Sequence, residues 1–344
     1  MTIRVSIAAA AVVVVLSGCQ ATSPTASTGP TSTAPTTAPG ATAPAGRFEI
    51  VTEPDDGMAS LYALLSSATT SVDMEMYELQ DIQAEDILSA DAARDVTVRV
   101  ILDRNRESEA NAAAYAYLMS HGVEVHWAPP GFEADHEKAV VVDGTTAAIL
   151  TLNLTSRYYA TTRDFGVIDR DQPDVRAIEQ VFDADFAGET ITAPTGDDLV
   201  WSPGSQAQLA ALIDSAQFSV AVENEEMSDP TIIAALSAAA RRHVQVTVTM
   251  TASSEWDKAF ATLTGAGVQV RVDTGETPLY IHAKVADIDS GMPGAMVFIG
   301  SENDTAASLE RNRELGVILA DPALTASVGA TVQHDFEAAA PWHA

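Results

Sequence analysis

The sequence predicts an α/β protein of two tandem βαβ repeats, each a mixed, mostly parallel sheet flanked by helices, packed about a pseudo-twofold axis. Three observations predict it. From residue 47 onward, valine-rich alternating runs are interleaved with alanine-rich helical stretches, the pattern of strands joined by covering helices. The order of these segments recurs after roughly 145–150 residues, the size of a domain rather than of a solenoid unit. The residues HEKAVVVD from His136 return as HAKVADID from His282, so one His-x-Lys-x4-Asp frame is used twice.

The 344-residue chain, 47% hydrophobic, can bury one large or two ordinary cores. Residues 1–19 hold one arginine and an apolar run from Val5 to Leu16, shorter than the ~20 residues that span a bilayer. They read as an export signal. The end of this segment, Leu16-Ser17-Gly18-Cys19, resembles the bacterial lipoprotein processing site. That resemblance implies lipidation of Cys19 and a protein exported and anchored by lipid to the outer face of the cell membrane. Cys19 is the single cysteine, so the exported domain has no disulfide and no thiolate metal site. Residues 20–46, rich in Thr, Pro and Ala, bury too little apolar surface to offset their ordering entropy and read as a disordered tether. The net charge of −30 repels polyanions, so nucleic acid is not an expected partner.

Within repeat 1 (47–192), SVDMEMYEL (71–79) reads as a strand, AEDILSADAARD (84–95) as a helix and VTVRVILD (96–103) as a strand. ESEANAAAYAYLMSHG (107–122) reads as a helix and VEVHW (123–127) as a strand. Repeat 2 (206–340) answers in order: SVAVENEEM (219–227), AALSAAARRHVQVTVTM (234–250), AGVQVRV (266–272). The stretch 193–205, punctuated by Pro, Gly and Asp, is the connector.

The frame has its own chemistry. Residues two apart on a strand share a face, so His136 and Lys138 point together, as do His282 and Lys284. The next strands bring Thr151 and Asn153 in the first copy, and Gly300, Ser301 and Asn303 in the second. An imidazole to attack or donate, with ammonium and amide groups to hold anionic oxygens, makes a phosphoryl-transfer set. No Gly-rich phosphate loop or metal-ligand cluster stands out, and no metal or other cofactor is expected. His121, His126, His243, His334 and His343 lack partner spacing and read as surface or core residues; Arg311 and Arg313 read as loop residues near the second site. Glu75 and Glu223 hold equivalent strand positions that could face the cleft.

The doubled His-x-Lys-x4-Asp frame, with Gly-Ser-x-Asn after the second copy, resembles the phospholipase D superfamily over roughly 47–340. The resemblance implies two phospholipase D-like repeats, a monomer with both half-sites in one chain, and a metal-independent phosphodiesterase acting on a phospholipid head group. It implies His136 as nucleophile forming a phosphohistidine and His282 as general acid/base, with Lys138, Lys284, Asp143 and Asp289 completing the catalytic motifs. Asn153, Asn303, Thr151 and Ser301 would bind phosphate. Asp164 and Glu314, each eleven residues after the Asn of its own copy, would orient the histidines; Asp143 and Asp289 also lie where they could secure hairpins. The alternatives are an endonuclease, phosphatidyl transfer to an alcohol, and a non-catalytic surface-binding protein. Two departures mark the copies as unequal: Leu150-Thr151 replaces Gly-Ser, and Asp287 interrupts an aliphatic strand.

Overall fold

The computed structural model describes residues 46–275 and 279–344. The export signal, Cys19 and all but the last residue of the expected tether lie outside the described residues.

In the N-terminal half the strands lie in the order Phe48–Glu53, Thr162–Asp169, Thr146–Leu150, Lys138–Val142, Ser71–Met76, Thr97–Leu102, Glu124–Trp127. The C-terminal half repeats that order as Leu199–Ser202, Glu314–Leu319, Met296–Gly300, Val285–Ile288, Ser219–Glu223, Gln245–Thr251, Gln269–Asp273, and ends on the short strand Ala340–Pro341. The expected repeat is therefore a topological one. Both sheets are mixed. Strands joined through helices, such as Ser71–Met76 and Thr97–Leu102, run parallel because a crossover is needed to return the chain in the same direction. Strands joined by hairpins, which carry the His-x-Lys frame, run antiparallel. The site-bearing end of each sheet is thus the antiparallel end. Leu199–Ser202 falls inside the expected connector, yet it pairs with Glu314–Leu319 as an edge strand of the second sheet.

Strand alternation sorts the apolar side chains into three layers. Val140 and Val142 face the helices Ala59–Ser66, Ile82–Ala92 and Ala112–Ser120, and Val246 and Val248 face the corresponding helices of the second half. Ala139, Val141, Ile149 and Phe165 pack instead against Val285, Ile299 and Val317 of the other sheet. Helices Gln172–Ala187 and Pro322–Ala338 flank this shared core through Val181 and Val332. The described residues accordingly form one compact unit. Among the described residues, no helix is long and apolar enough to cross a membrane.

Two sequence departures have a packing explanation. Leu150 pairs with Gly166 across the strands, and a Cβ on that glycine would lie 2.9 Å from Leu150 Cδ2. In the second half Gly300 pairs with Gly316, and the space above them is taken by Phe298 and Glu302. The volume is filled either way. Asp287 faces away from the site toward helix Pro322–Ala338, where a Cβ at Gly329 would come within 2.6 Å of its carboxylate. Burial pushes its pKa up to about 6.

Candidate active site

Each histidine is held by the half to which it does not belong. The backbone N–H of His136 donates to the carbonyl of Arg313 at 2.9 Å, and that of His282 to the carbonyl of Arg163 at 3.2 Å. The side chains follow suit. His136 Nδ1 lies 2.7 Å from Glu314 Oε2, and His282 Nδ1 lies 2.8 Å from Asp164 Oδ1. A proton on each Nδ1 satisfies its carboxylate and leaves Nε2 for chemistry. The contacts of the two carboxylates are crossed: each reaches the imidazole of the opposite half.

The orienters are themselves fixed. Glu314 Oε1 accepts from the Ser308 hydroxyl, and from Asn312 Nδ2 at 3.0 Å. Burial acts to raise its pKa, but the charges of His136 and Lys138 and these hydrogen bonds hold it below the usual carboxylate range. Asp164 Oδ1 accepts from the Thr151 hydroxyl at 2.6 Å, and the same hydroxyl accepts from the N–H of Phe165 at 2.9 Å. Ser301 Oγ accepts from the N–H of Leu315 at 3.2 Å. Both hydroxyls are fully buried, each just past the end of the strand that neighbours an orienting strand, which corrects their expected role as phosphate ligands. A strand whose carboxylate reaches into the other half needs its neighbour's hydroxyl as a brace.

Lys138 Nζ donates to the carbonyl of His136 at 2.7 Å, and Lys284 Nζ to that of His282 at 2.5 Å. Burial, with Lys284 nearby, lowers the Lys138 pKa to about 7. Burial also lowers the pKa of His136, and the Lys138 charge adds to this against the pull of Glu314. The side-chain oxygens of Asn153 and Asn303 are buried without a hydrogen-bond partner among the described residues; it is the Nδ2 groups, as donors, that would meet a phosphate oxygen.

Asp143 and Asp289 prove structural, which corrects their place among catalytic residues. Asp143 accepts from the N–H groups of Thr69, Thr70 and Ser71, and Asp289 from those of Gln217, Phe218 and Ser219. Both lie at positive φ, 54° and 55°, where the hairpin turns back. They tie the hairpin to the start of the neighbouring strand. Glu75 and Glu223 are fully buried behind the site and do not line a cleft. Arg311 stays exposed with Glu133, whereas Arg313, read as a loop residue, is buried and paired with Asp185 at 2.7 Å. The other five histidines are exposed.

Three features escaped the sequence reading. Arg163 and Arg313 immediately precede the orienters and form buried ion pairs with Asp335 and Asp185 of the opposite halves. The recurrence of Arg-acid at 163–164 and 313–314 was the available signal. Tyr77 stands edge-on to His136 with ring centroids 4.5 Å apart, while Glu225 reaches Lys284 at 3.1 Å. Finally, Asp171, Asp174 and Asp198 bring three carboxylates within 4.8 Å, a grouping suited to a cation. Arg47 already supplies its countercharge, 2.5 Å from Asp171.

The site opens on a cleft of about 550 Å³ lined by His282, Asn153, Tyr158, Tyr159, Tyr280, Glu53, Glu78 and Glu225. His282 faces this cleft, while His136 lies deeper, 9% exposed. The chain matches the family described as "Cardiolipin synthase, PLD-like domain" over residues 61–186 and again over 209–337. It belongs to the phospholipase D superfamily. Each matched stretch contains one His-x-Lys frame, so the two halves are two phospholipase D-like repeats. The chain is 28% identical over 160 residues to the probable cardiolipin synthase YwiE of Bacillus subtilis, a match covering 44% of this chain and 32% of that protein. The match thus spans about a third of that relative's length. Phosphatidylserine synthase from Haemophilus influenzae superposes with a TM-score of 0.64 at 13% identity, covering 86% of this chain and 87% of that one. Polyphosphate kinase from Porphyromonas gingivalis gives 0.65 at 15% identity, covering 84% and 50%. At such identities the likeness is one of fold.

Proposed function

We propose that the protein is a phospholipase D-type phosphodiesterase that hydrolyses the head-group phosphodiester of a phospholipid through a phosphohistidine, without a metal. The observation that carries this reading is the pair of imidazoles, each presented through Nε2 by a carboxylate on Nδ1. His136, its pKa lowered by burial, attacks phosphorus as the neutral base. The bond from phosphorus to the head-group oxygen breaks, and the leaving alcohol takes its proton from Nε2 of His282. The cleft beside His282 has room for that alcohol. A water then gives a proton to His282 and attacks phosphorus, the P–N bond breaks, and a phosphomonoester leaves. Lys138, Lys284, Asn153 and Asn303 hold the phosphate oxygens.

A second reading, phosphatidyl transfer, replaces the water by an alcohol; the similarity to a probable cardiolipin synthase favours it. The net charge of −30 and a cleft lined by Glu53, Glu78 and Glu225 argue against a nuclease. Lipidation at Cys19 would place the enzyme beside its substrate at the outer face of the membrane, working as a monomer.

The test is an assay of the full chain with chelator present. The substrates are phosphatidylcholine and phosphatidylglycerol vesicles with and without glycerol, single-stranded DNA and a chromogenic phosphodiester. Head-group release abolished in His136→Ala and His282→Ala is the expected result. Products that appear only with glycerol would move the reading to transfer. Turnover of DNA alone would overturn the phospholipid substrate, and inactivity on every substrate would favour a binding protein.

A further inference from the structure

The two half-sites are capped by different chemistry at the same position. Counted from Ser71 and Ser219, which open equivalent strands, Tyr77 and Glu225 are counterparts. Tyr77 covers the first pair with a neutral ring: Lys138 Nζ lies 4.9 Å from the ring centroid, and the ring stands edge-on to His136. Glu225 meets the second pair with an anion. Its Oε2 lies 3.1 Å from Lys284 Nζ and 3.4 Å from His282 Nε2, and its Oε1 accepts from the Tyr280 hydroxyl at 3.0 Å. These two nitrogens are the ones a phosphate oxygen must engage. The carboxylate oxygen therefore stands where a substrate oxygen has to go.

We infer that Glu225 is a specificity-determining residue: it holds the place of a phosphate oxygen and restricts the site to singly charged phosphodiesters, disfavouring dianionic phosphomonoesters. The inference rests on the proposed phosphodiesterase reading and deepens it. A phosphodiester carries one negative charge, and a phosphomonoester carries about 1.5 to 2 at neutral pH. Cationic groups alone would hold the monoester product more tightly than the diester substrate, and the enzyme would stall on its product. A tethered carboxylate reverses that preference, because it competes for Lys284 and repels the more highly charged ligand. Glu78 and Asp164 line the same cleft and add to the repulsion. Tyr280 keeps the carboxylate within reach while it is displaced.

The inference is tested by calorimetric titration of the full chain with inorganic phosphate, which needs no turnover. Glu225→Gln keeps the shape and the Tyr280 hydrogen bond and removes the charge. It is expected to bind phosphate at least about tenfold more tightly than the parent, while Glu225→Asp stays near the parent. In steady-state assays, product inhibition by the phosphomonoester should tighten by a similar factor, more than KM for the diester falls. Should Glu225→Gln fail to fold by thermal unfolding, Tyr280→Phe, which frees the carboxylate, is expected to tighten phosphate binding by a smaller factor. Equal or weaker phosphate affinity in a folded variant would overturn the inference, as would absence of phosphate binding in every form. Tighter phosphate binding without turnover of any phosphodiester would leave Glu225 in this role and overturn the hydrolytic reading instead.

Discussion

The carboxylate of Glu314 lies 2.7 Å from Nδ1 of His136, a residue 178 positions earlier in the chain. Asp164 and His282 form the mirror contact, so neither half holds a complete site. Glu314→Gln keeps the volume but loses the charge that favours an imidazolium and sets the tautomer. It is expected to lower kcat by about 10²–10⁴ with little change in KM, and Asp164→Asn likewise. Steady-state kinetics, with circular dichroism as the control for folding, measures this. A loss expressed in KM alone would contradict it.

Thr151 separates bracing from substrate contact. Its hydroxyl donates to Asp164 and accepts from Phe165. Thr151→Val should therefore reduce kcat about 10–100-fold, as removal of a group supporting a site residue does. A phosphate ligand would instead show its loss in KM. The split between the two constants is the readout.

Arg313 and Asp185 are both at most 5% exposed in their side chains, and Arg163 and Asp335 at most 4%. Removing one partner of such a pair strands a buried charge and costs about 3–5 kcal/mol. Asp185→Ala and Asp335→Ala are expected to lower the unfolding midpoint strongly, because each pair ties an orienting strand to the opposite half. A midpoint within a degree of the parent's would contradict this assignment.

Two opposing ionisations define the activity profile. His136 attacks as the neutral imidazole, and burial lowers its pKa below 6.5, so activity rises with pH through that range. Lys138 holds phosphate as the ammonium, and its pKa lies at about 7, so activity falls as pH rises through 7. The profile of kcat/KM, which reports the free enzyme, should peak just below neutrality. Lys138→Arg should shift the falling limb upward, since arginine keeps its charge. A falling limb that does not move would assign it elsewhere.

Stability depends on pH through the buried acids. Burial raises Glu53, Asp135 and Asp169 to about 7 and Asp304 to about 8, against ordinary values of 4.5 for the glutamate and 3.8 for the aspartates. The folded state holds these protons more tightly than the unfolded one. Their stabilisation is full below about pH 4 and is lost as pH rises through 7 to 8. Glu225 and Glu314, whose pKa values are lowered, act oppositely and lose their contribution under acid. The unfolding midpoint should therefore be highest near pH 4–5 and decline as pH rises toward 7. A midpoint that climbs between pH 6 and 8 would contradict these assignments.

Much of the site was legible because the chain repeats itself. The paired frames, the recurrence of segments along the chain and the two matched carboxylates follow from corresponding positions in one sequence. The crossing of the carboxylates was not legible, since it depends on two sheets meeting face to face through Val141, Ile149, Val285 and Ile299. The roles of Thr151 and Ser301 were misread for the same reason: a hydroxyl beside a phosphate site serves equally as a brace once the neighbouring strand is known. Tyr77 and Glu225 show the limit of repeat reasoning. They share a position and differ in chemistry, and only the contacts to Lys138 and Lys284 reveal what that difference does.

The central claim is a single site assembled from two halves, with His136 as the attacking group and His282 as the proton donor. Rapid quenching into alkali, followed by mass spectrometry of the full chain during turnover of a phosphodiester, tests it most directly. A phosphoryl adduct on His136 that accumulates in His282→Ala and is absent in His136→Ala is the predicted result. An adduct on His282, or turnover with no histidine adduct in any form, would contradict it.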